Sequence, residues 1–557
     1  MLRSASRLAV ALLLCLPSSL YGQARPATPA KPQAASAATP AERRAIRAFD
    51  AVAENPLQLT AFLAELPKGG DLHMHLTGAV YAESFIRQAI ADTLCYSPST
   101  RRLFKPSATT RSFPPQPVCG EGNRRADEAL KDQALYDTLV DDFSMRSFVP
   151  SAGVSGHDQF FATFARFSAL NHSHIGEWLD EVASRAAAQN EQYLEIMHTA
   201  DFAAAAKLGY SIPWPSAASF PAAGATSAND ASGASPAELA KLRDQLLAGG
   251  LREMVATDRK EYADALDSRD RIEHCGTPEA AKACSVKLRF IYQILRGFPA
   301  QQVFAQTLLG FETIQAELDS GHPRVVGINF VMPEDGYLSM SEYHRQMLML
   351  DYLHSVYPRV HITLHAGEIA PGLVTPDGLR FHIREAVELG HAERIGHGVD
   401  VMYEDQAQAL LKEMASRHIM TEINLSSNDL ILGVSKQWHP LPVYRAAGVP
   451  VALSTDDEGV SRIDITHEYT RAVLDFHLGY LDLKRMARTS LEHSFLPGAS
   501  LWEQPDVFTS VNAACASQTL GADNPTPKCQ AFLQANERAN EQWQLEHRYR
   551  LFEEKQP

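Results

Sequence analysis

The chain has 557 residues, of which 45% are hydrophobic and 21% charged, and a formal net charge of −15. That composition is ordinary for a globular protein and excludes a disordered or low-complexity chain. The acidic balance argues against nucleic acid or an anionic membrane surface as a partner.

Met1 to Arg7 is short and cationic, Leu8 to Leu20 is mostly apolar, and small residues around Gly22-Gln23-Ala24 offer a cleavage site. Residues 1–24 therefore read as a secretory signal peptide, too short to span a bilayer. Cys15 invites a lipoprotein reading, but Leu14 before it is bulkier than that processing accepts. Residues 25–43, rich in Ala and Pro, read as a solvated linker. Residues 44–557 remain for one domain, exported to the periplasm or beyond the cell, with no later apolar run long enough to cross a membrane.

Short apolar runs then alternate with longer amphipathic stretches. Strands are expected at Asp71–Leu76, Tyr193–His198, Val286–Leu295, Val325–Val331, Val360–His365, Arg394–Val399, Ile419–Asn424 and Val449–Thr455. Helical stretches such as Asp158–Asn190 and Ser341–Tyr357 separate them. Eight strands with intervening helices predict an α/β fold of the (β/α)₈ barrel type rather than an open sheet. Two segments break the alternation: 97–125, rich in Pro, Ser and Arg, and 203–236, rich in Ala, Ser and Gly; both read as surface insertions.

Of seven cysteines, Cys15 leaves with the signal peptide, so six remain. An even count in an exported chain suggests disulfides, and the most local pairing is Cys95 with Cys119, Cys275 with Cys284 and Cys515 with Cys529.

The chemistry concentrates at the ends of the predicted strands, the catalytic face of such a barrel. His73 and His75, two apart on the first strand, point to one side and are good metal ligands. His172 and His174 have the same spacing in a helical stretch, where positions two apart diverge, and read as surface or capping histidines. The fifth strand ends in His365-Ala366-Gly367-Glu368: a third imidazole, two small residues that leave room for a substrate ring, and a carboxyl placed to move a proton. His397 lies between two glycines at the end of the sixth strand. Asp456-Asp457 follows the eighth, where one carboxylate can ligate while its neighbour orients water.

These motifs, Pro67 to Leu76, His365-Ala-Gly-Glu368, Arg394-Ile-Gly-His-Gly398 and Ser454-Thr-Asp-Asp457, resemble in order and placement the adenosine deaminase family of metal-dependent hydrolases. The resemblance spans about Leu66 to Asp457, and the signal and cysteine-bearing insertions are similar to its secreted, growth-factor-like branch. It implies one zinc per chain held by His73, His75, His365 and Asp456, with Glu368 shuttling a proton to purine N1. His397 and Asp457 would activate and orient the attacking water. Chemistry agrees: attack at C6 needs a nucleophile formed at neutral pH and a donor to N1. A binuclear site would want a bridging group such as a modified lysine on a middle strand, and Gly327 to Val331 has none.

Three positions depart from the family pattern. Thr77 stands where an Asp often contacts the ribose, Met332 where a glycine often packs against the purine, and Glu458 where proline is common. Thr77, Met332, Gly367 and Asn428 are the expected substrate contacts. The implied substrate is a small purine nucleoside, adenosine or 2′-deoxyadenosine. The alternatives are another aminopurine, such as adenine or a 5′-modified adenosine, or a non-catalytic secreted binding protein on the same fold.

Overall fold

Apolar, β-branched runs that end in polar residues become the strands. In the computed structural model, which describes residues 38–108, 117–170, 172, 174–214 and 234–557, they are β1 (Gly69–His75), β2 (Glu191–His198), β3 (Lys287–Leu295), β4 (Val325–Val331), β5 (His361–Ala366), β6 (Arg394–His397), β7 (Met420–Ile423) and β8 (Val451–Leu453). Their ends differ from the expected ones by no more than about two residues, the usual uncertainty of element boundaries. They form one parallel sheet in the order β1 to β8. The sheet closes where Met74 of β1 bridges Asp456 after β8: His75 N–H donates to Asp456 O at 3.1 Å and Asp456 N–H to His73 O at 2.8 Å. The result is a (β/α)₈ barrel. β1, β2 and β4 are buried along their whole length, which suits strands covered by helices outside and filled by side chains inside.

Helix α1 (Pro40–Val52) begins inside the segment expected to be linker up to residue 43. Thr39 Oγ1 accepts the Glu42 N–H at 3.0 Å and Pro40 opens the first turn, so the chain is helical from there. The predicted signal peptide and linker residues 25–37 lie outside the described residues.

The expected helix Asp158–Asn190 is two helices, α2 (Gly156–Phe167) and α3 (Ile175–Ala188). His172 lies in the break between them with φ 65°, and His174 stands immediately before α3, its Nδ1 2.7 Å from Glu177 Oε2. Neither is on a helix face, so the assignment of both to a helical stretch is corrected.

Neither insertion is a plain loop. In the first, Cys95–Ser97 forms a short antiparallel sheet with Arg102–Phe104 and Arg124–Arg125; residues 109–116 lie outside the described part. The second opens as helix α4 (Ala203–Ser211), in keeping with the high helix propensity of its alanines. Residues 215–233 lie outside the described part. Helix α5 (Leu251–Ile272) follows. Cys95 is joined to Cys119, Cys275 to Cys284 and Cys515 to Cys529, the local pairing expected. Near the C-terminus, helix α6 (Glu537–Glu554) packs at the start of β1, where Tyr549 Oη donates to Pro67 O at 2.7 Å. Among the described residues no helix is long and apolar enough to cross a membrane.

Candidate metal and proton-transfer site

Closing the barrel brings residues 73 and 456 together. His73 and His75 project from the end of β1, His365 from β5 and Asp456 from the turn after β8. Nε2 of His365 is 3.1 Å from Nε2 of His73 and 3.2 Å from Nε2 of His75. Asp456 Oδ1 is 3.2 Å from His75 Nε2 and 3.6 Å from His73 Nε2. All four residues are buried.

The other nitrogen of each ring explains this convergence. His73 Nδ1–H donates to Glu422 at 2.6 Å, His75 Nδ1–H to Gln293 Oε1 at 2.7 Å, and His365 Nδ1–H to Asn329 Oδ1 at 2.6 Å. With the proton fixed on Nδ1, each Nε2 turns a lone pair toward the centre. Burial and the neighbouring imidazoles hold His365 well below the usual histidine range, so it stays unprotonated. Three lone pairs and a carboxylate oxygen facing one point repel one another unless a cation lies between them. Ligand–metal bonds of about 2.0–2.1 Å in a tetrahedron put donors roughly 3.3 Å apart, close to the separations here. The donor set therefore fits a single tetrahedral divalent ion. Glu422 is itself fixed by Arg394 Nε at 2.6 Å and Thr363 Oγ1 at 3.0 Å.

Glu368 follows His365 through a turn at Gly367, whose φ of 79° and close approach to Asp400 and Ile383 exclude a side chain. Glu334 grips this turn with both oxygens, accepting the Gly367 N–H at 2.9 Å and the Glu368 N–H at 2.7 Å. Burial, then the nearby Asp456 and Glu334 carboxylates, push the Glu368 carboxyl well above the ordinary range, favouring the form that can donate a proton.

His397 is fully buried behind the donor cluster, its Nδ1 3.6 Å from Glu368 Oε1 and its Nε2 3.9 Å from Asp456 Oδ2. A chain of hydrogen bonds fixes its tautomer. The Leu441 N–H donates to His439 Nδ1 at 3.1 Å, and His439 Nε2–H donates to Asn428 Oδ1 at 3.0 Å. Asn428 Nδ2 then donates to His397 Nδ1 at 2.9 Å. The remaining proton of His397 is left on Nε2, facing Asp456. Burial first, outweighing the Asp456 charge, lowers His397 to about 3, so it is a neutral imidazole. Asp457 is buried with Oδ1 free of any hydrogen bond, in space open only because residue 78 is glycine. Burial and the adjacent Asp456 push its carboxyl up.

A cavity of about 540 Å³ opens onto this cluster, lined by His75, His365, Glu368, Asp456 and Asp457 at its base. Thr77 and Met332 line it as well, and Phe160, Phe161 and Phe164 of α2 form an aromatic wall. Met332 has φ 104°, a conformation that favours glycine, and its sulfur accepts the Gly297 N–H at 3.2 Å. Two expected substrate contacts are corrected. Gly367 is not among the lining residues, and its missing side chain makes room for Asp400 and Ile383 rather than for a ligand. Asn428 is fully buried and spends its amide on His397 and His439. Sequence reasoning missed Glu422, Gln293, Asn329, Glu334 and His439, although polar residues within apolar strands were the available signal for the first three.

Residues 269–502 match the family model described as adenosine deaminase. Over that stretch the chain is similar to the adenosine deaminase family. An adenosine deaminase of Clostridium perfringens (strain ATCC 13124) is 35% identical over 135 residues, which are 24% of this chain and 37% of that protein. One from Escherichia coli (strain SE11) is 39% identical over 137 residues, 24% of this chain and 38% of that one. The match thus spans little more than a third of the length of these curated family members. Among solved structures, an arabidopsis N6-mAMP deaminase gives a TM-score of 0.46 at 19% identity, covering 78% of this chain and 95% of that one. An adenine deaminase from Arthrobacter aurescens gives 0.44 at 16% identity, covering 77% and 94%. The stretch matched by the adenosine deaminase model contains His365, Glu368, His397, Asp456 and Asp457, while His73 and His75 precede it and join them only in the folded barrel.

Proposed function

We propose that this protein is a zinc-dependent aminohydrolase that converts adenosine or 2′-deoxyadenosine and water to the corresponding inosine and ammonia. The observation that carries the reading is the convergence of His73, His75, His365 and Asp456 beside a buried carboxyl, Glu368, at the base of one cavity. One zinc per chain fits the donor set, and when bound it supplies a Lewis acid that makes water nucleophilic at neutral pH.

The chain's own residues supply the rest. The aromatic wall of α2 holds a flat ring, with the edge that carries the amino group turned toward the converging donors. Glu368 donates its proton to ring N1 as water adds to C6, so the ring electrons displaced by attack end on a protonated nitrogen. His397, neutral with its proton on Nε2, can donate a hydrogen bond that orients the water, and Asp457, whose Oδ1 is free of any hydrogen bond, takes up the water's proton. Return of a proton to the amino group lets ammonia leave as the C6 carbonyl forms.

Thr77 on the cavity wall favours a second reading, in which the substrate lacks a ribose contacted by an acid: adenine, or a 5′-modified adenosine. Ammonia release measured across adenosine, 2′-deoxyadenosine, adenine, AMP and 5′-methylthioadenosine separates the two. Turnover of adenosine and deoxyadenosine supports the first reading, and turnover of none of the five defeats both. The signal-like residues 1–24 and the three local cysteine pairs support action outside the cytoplasm, in the manner of the secreted growth-factor-like branch.

A further inference from the structure

His172, set aside in the sequence as a surface histidine, meets two residues from elsewhere in the chain. His198 closes β2 and Glu261 lies on α5. Glu261 Oε1 is 2.7 Å from His198 Nε2 and 3.0 Å from His172 Nδ1. Both imidazoles line the wall of the cavity described above. None of the three belongs to the inner cluster of His73, His75, His365 and Asp456.

We propose that His172, His198 and Glu261 form a second site for a divalent transition-metal ion of the zinc class, at the rim of the cavity. Two imidazoles and one carboxylate are a common zinc donor set, and zinc of this kind keeps further positions for water or ligand. Three features point to an ion rather than to a plain ion pair. Two nitrogens converge on a single oxygen, while the other, Oε2, accepts the Asp201 N–H at 3.3 Å and so fixes the direction of the carboxylate. The separations of 2.7 and 3.0 Å lie about 0.6 and 0.3 Å below the roughly 3.3 Å of a tetrahedral site, a gap that small side-chain shifts would close. Among the described residues, no arginine or lysine pairs with Glu261, and Asp201 and Asp258 stand nearby as further acids.

Access and backbone agree. His198 is buried and Glu261 half-buried, but His172 is exposed, so an ion can enter from solvent at the cavity mouth. His172 holds φ 65°, a left-handed conformation uncommon for a residue with a side chain. An ion there would fasten the break between α2 and α3 to the barrel wall. The site is independent of the proposed reaction, since it uses none of the residues assigned to it.

The experiment is metal uptake by the full-length protein. Chelator-stripped protein is dialysed against graded zinc, and bound metal is counted, with cobalt absorption as a second readout. The wild type is expected to take up two equivalents, one retained after dialysis into metal-free buffer and one exchangeable. Glu261→Gln and His172→Ala should each abolish the exchangeable equivalent and keep the retained one; His365→Ala should do the reverse. Should Glu261→Gln not fold, His172→Ala decides alone, because that side chain is exposed. Saturation of the wild type at one equivalent, or an exchangeable equivalent that survives in the folded variants, overturns the proposal.

Discussion

Glu368→Gln separates proton transfer from everything else the site does. Glutamine keeps the volume of the side chain, and the turn that carries it is gripped by Glu334 through backbone N–H groups, which the change leaves in place. None of the four converging donors is touched, so metal content should not change. Stability should not fall either, because burial already makes the carboxyl prefer its neutral form. What disappears is the proton given to the ring. General acid–base catalysis is worth roughly a hundred- to ten-thousand-fold, or about 3–5 kcal/mol in the barrier. We therefore expect kcat for adenosine to fall by that factor while KM moves by no more than a few-fold. The assay is the loss of adenosine absorbance under saturating substrate, on protein whose zinc has been counted and whose melting temperature has been recorded. A variant within a few-fold of wild type, or one that has shed its zinc, would refute the proton-donor role.

Protein dialysed into metal-free buffer should retain about one zinc per chain, and Glu422→Gln should weaken retention about 10- to 100-fold by releasing His73 Nδ1; retention measured against graded chelator checks this, and two retained ions would contradict it. Neutral nucleosides should be preferred over AMP, because the described lining of the cavity contains no arginine or lysine. A higher kcat/KM for AMP than for adenosine would overturn that expectation. Non-reducing peptide mapping should link Cys95 to Cys119, Cys275 to Cys284 and Cys515 to Cys529, and free thiols at all six would argue against both the pairing and export.

The strand ends were legible because two signals coincide there: an apolar run stops, and a histidine or acid follows it at once. That is why His73, His75, His365 and Asp456 could be named from their neighbours alone. The partners that set their tautomers were harder to see. Glu422 and Asn329 lie inside β7 and β4, and nothing local says whether a polar residue in a strand faces a ligand or a helix. His439 acts on His397 only through Asn428, so its role appears only once three separate segments are in place. The break between α2 and α3 escaped notice because the sequence around it holds no proline or glycine before His174. Gly367 was misjudged for a related reason: a glycine beside a catalytic group reads as space for substrate, whereas here it is space for the protein itself.

The seam of the barrel has a consequence for biosynthesis. Its first and last strands meet at the backbone of His73, His75 and Asp456, so three of the four inner donors come from the two ends of the barrel. A ribosome must therefore translate past Asp456 before the fourth donor exists, and until then the histidines of β1 have neither their carboxylate nor a closed ring. Metal loading is consequently a late event, confined to chains in which the eighth strand and Asp456 have been made. Prematurely terminated chains would be left as open sheets with unpaired edges, marked for proteolysis rather than for loading.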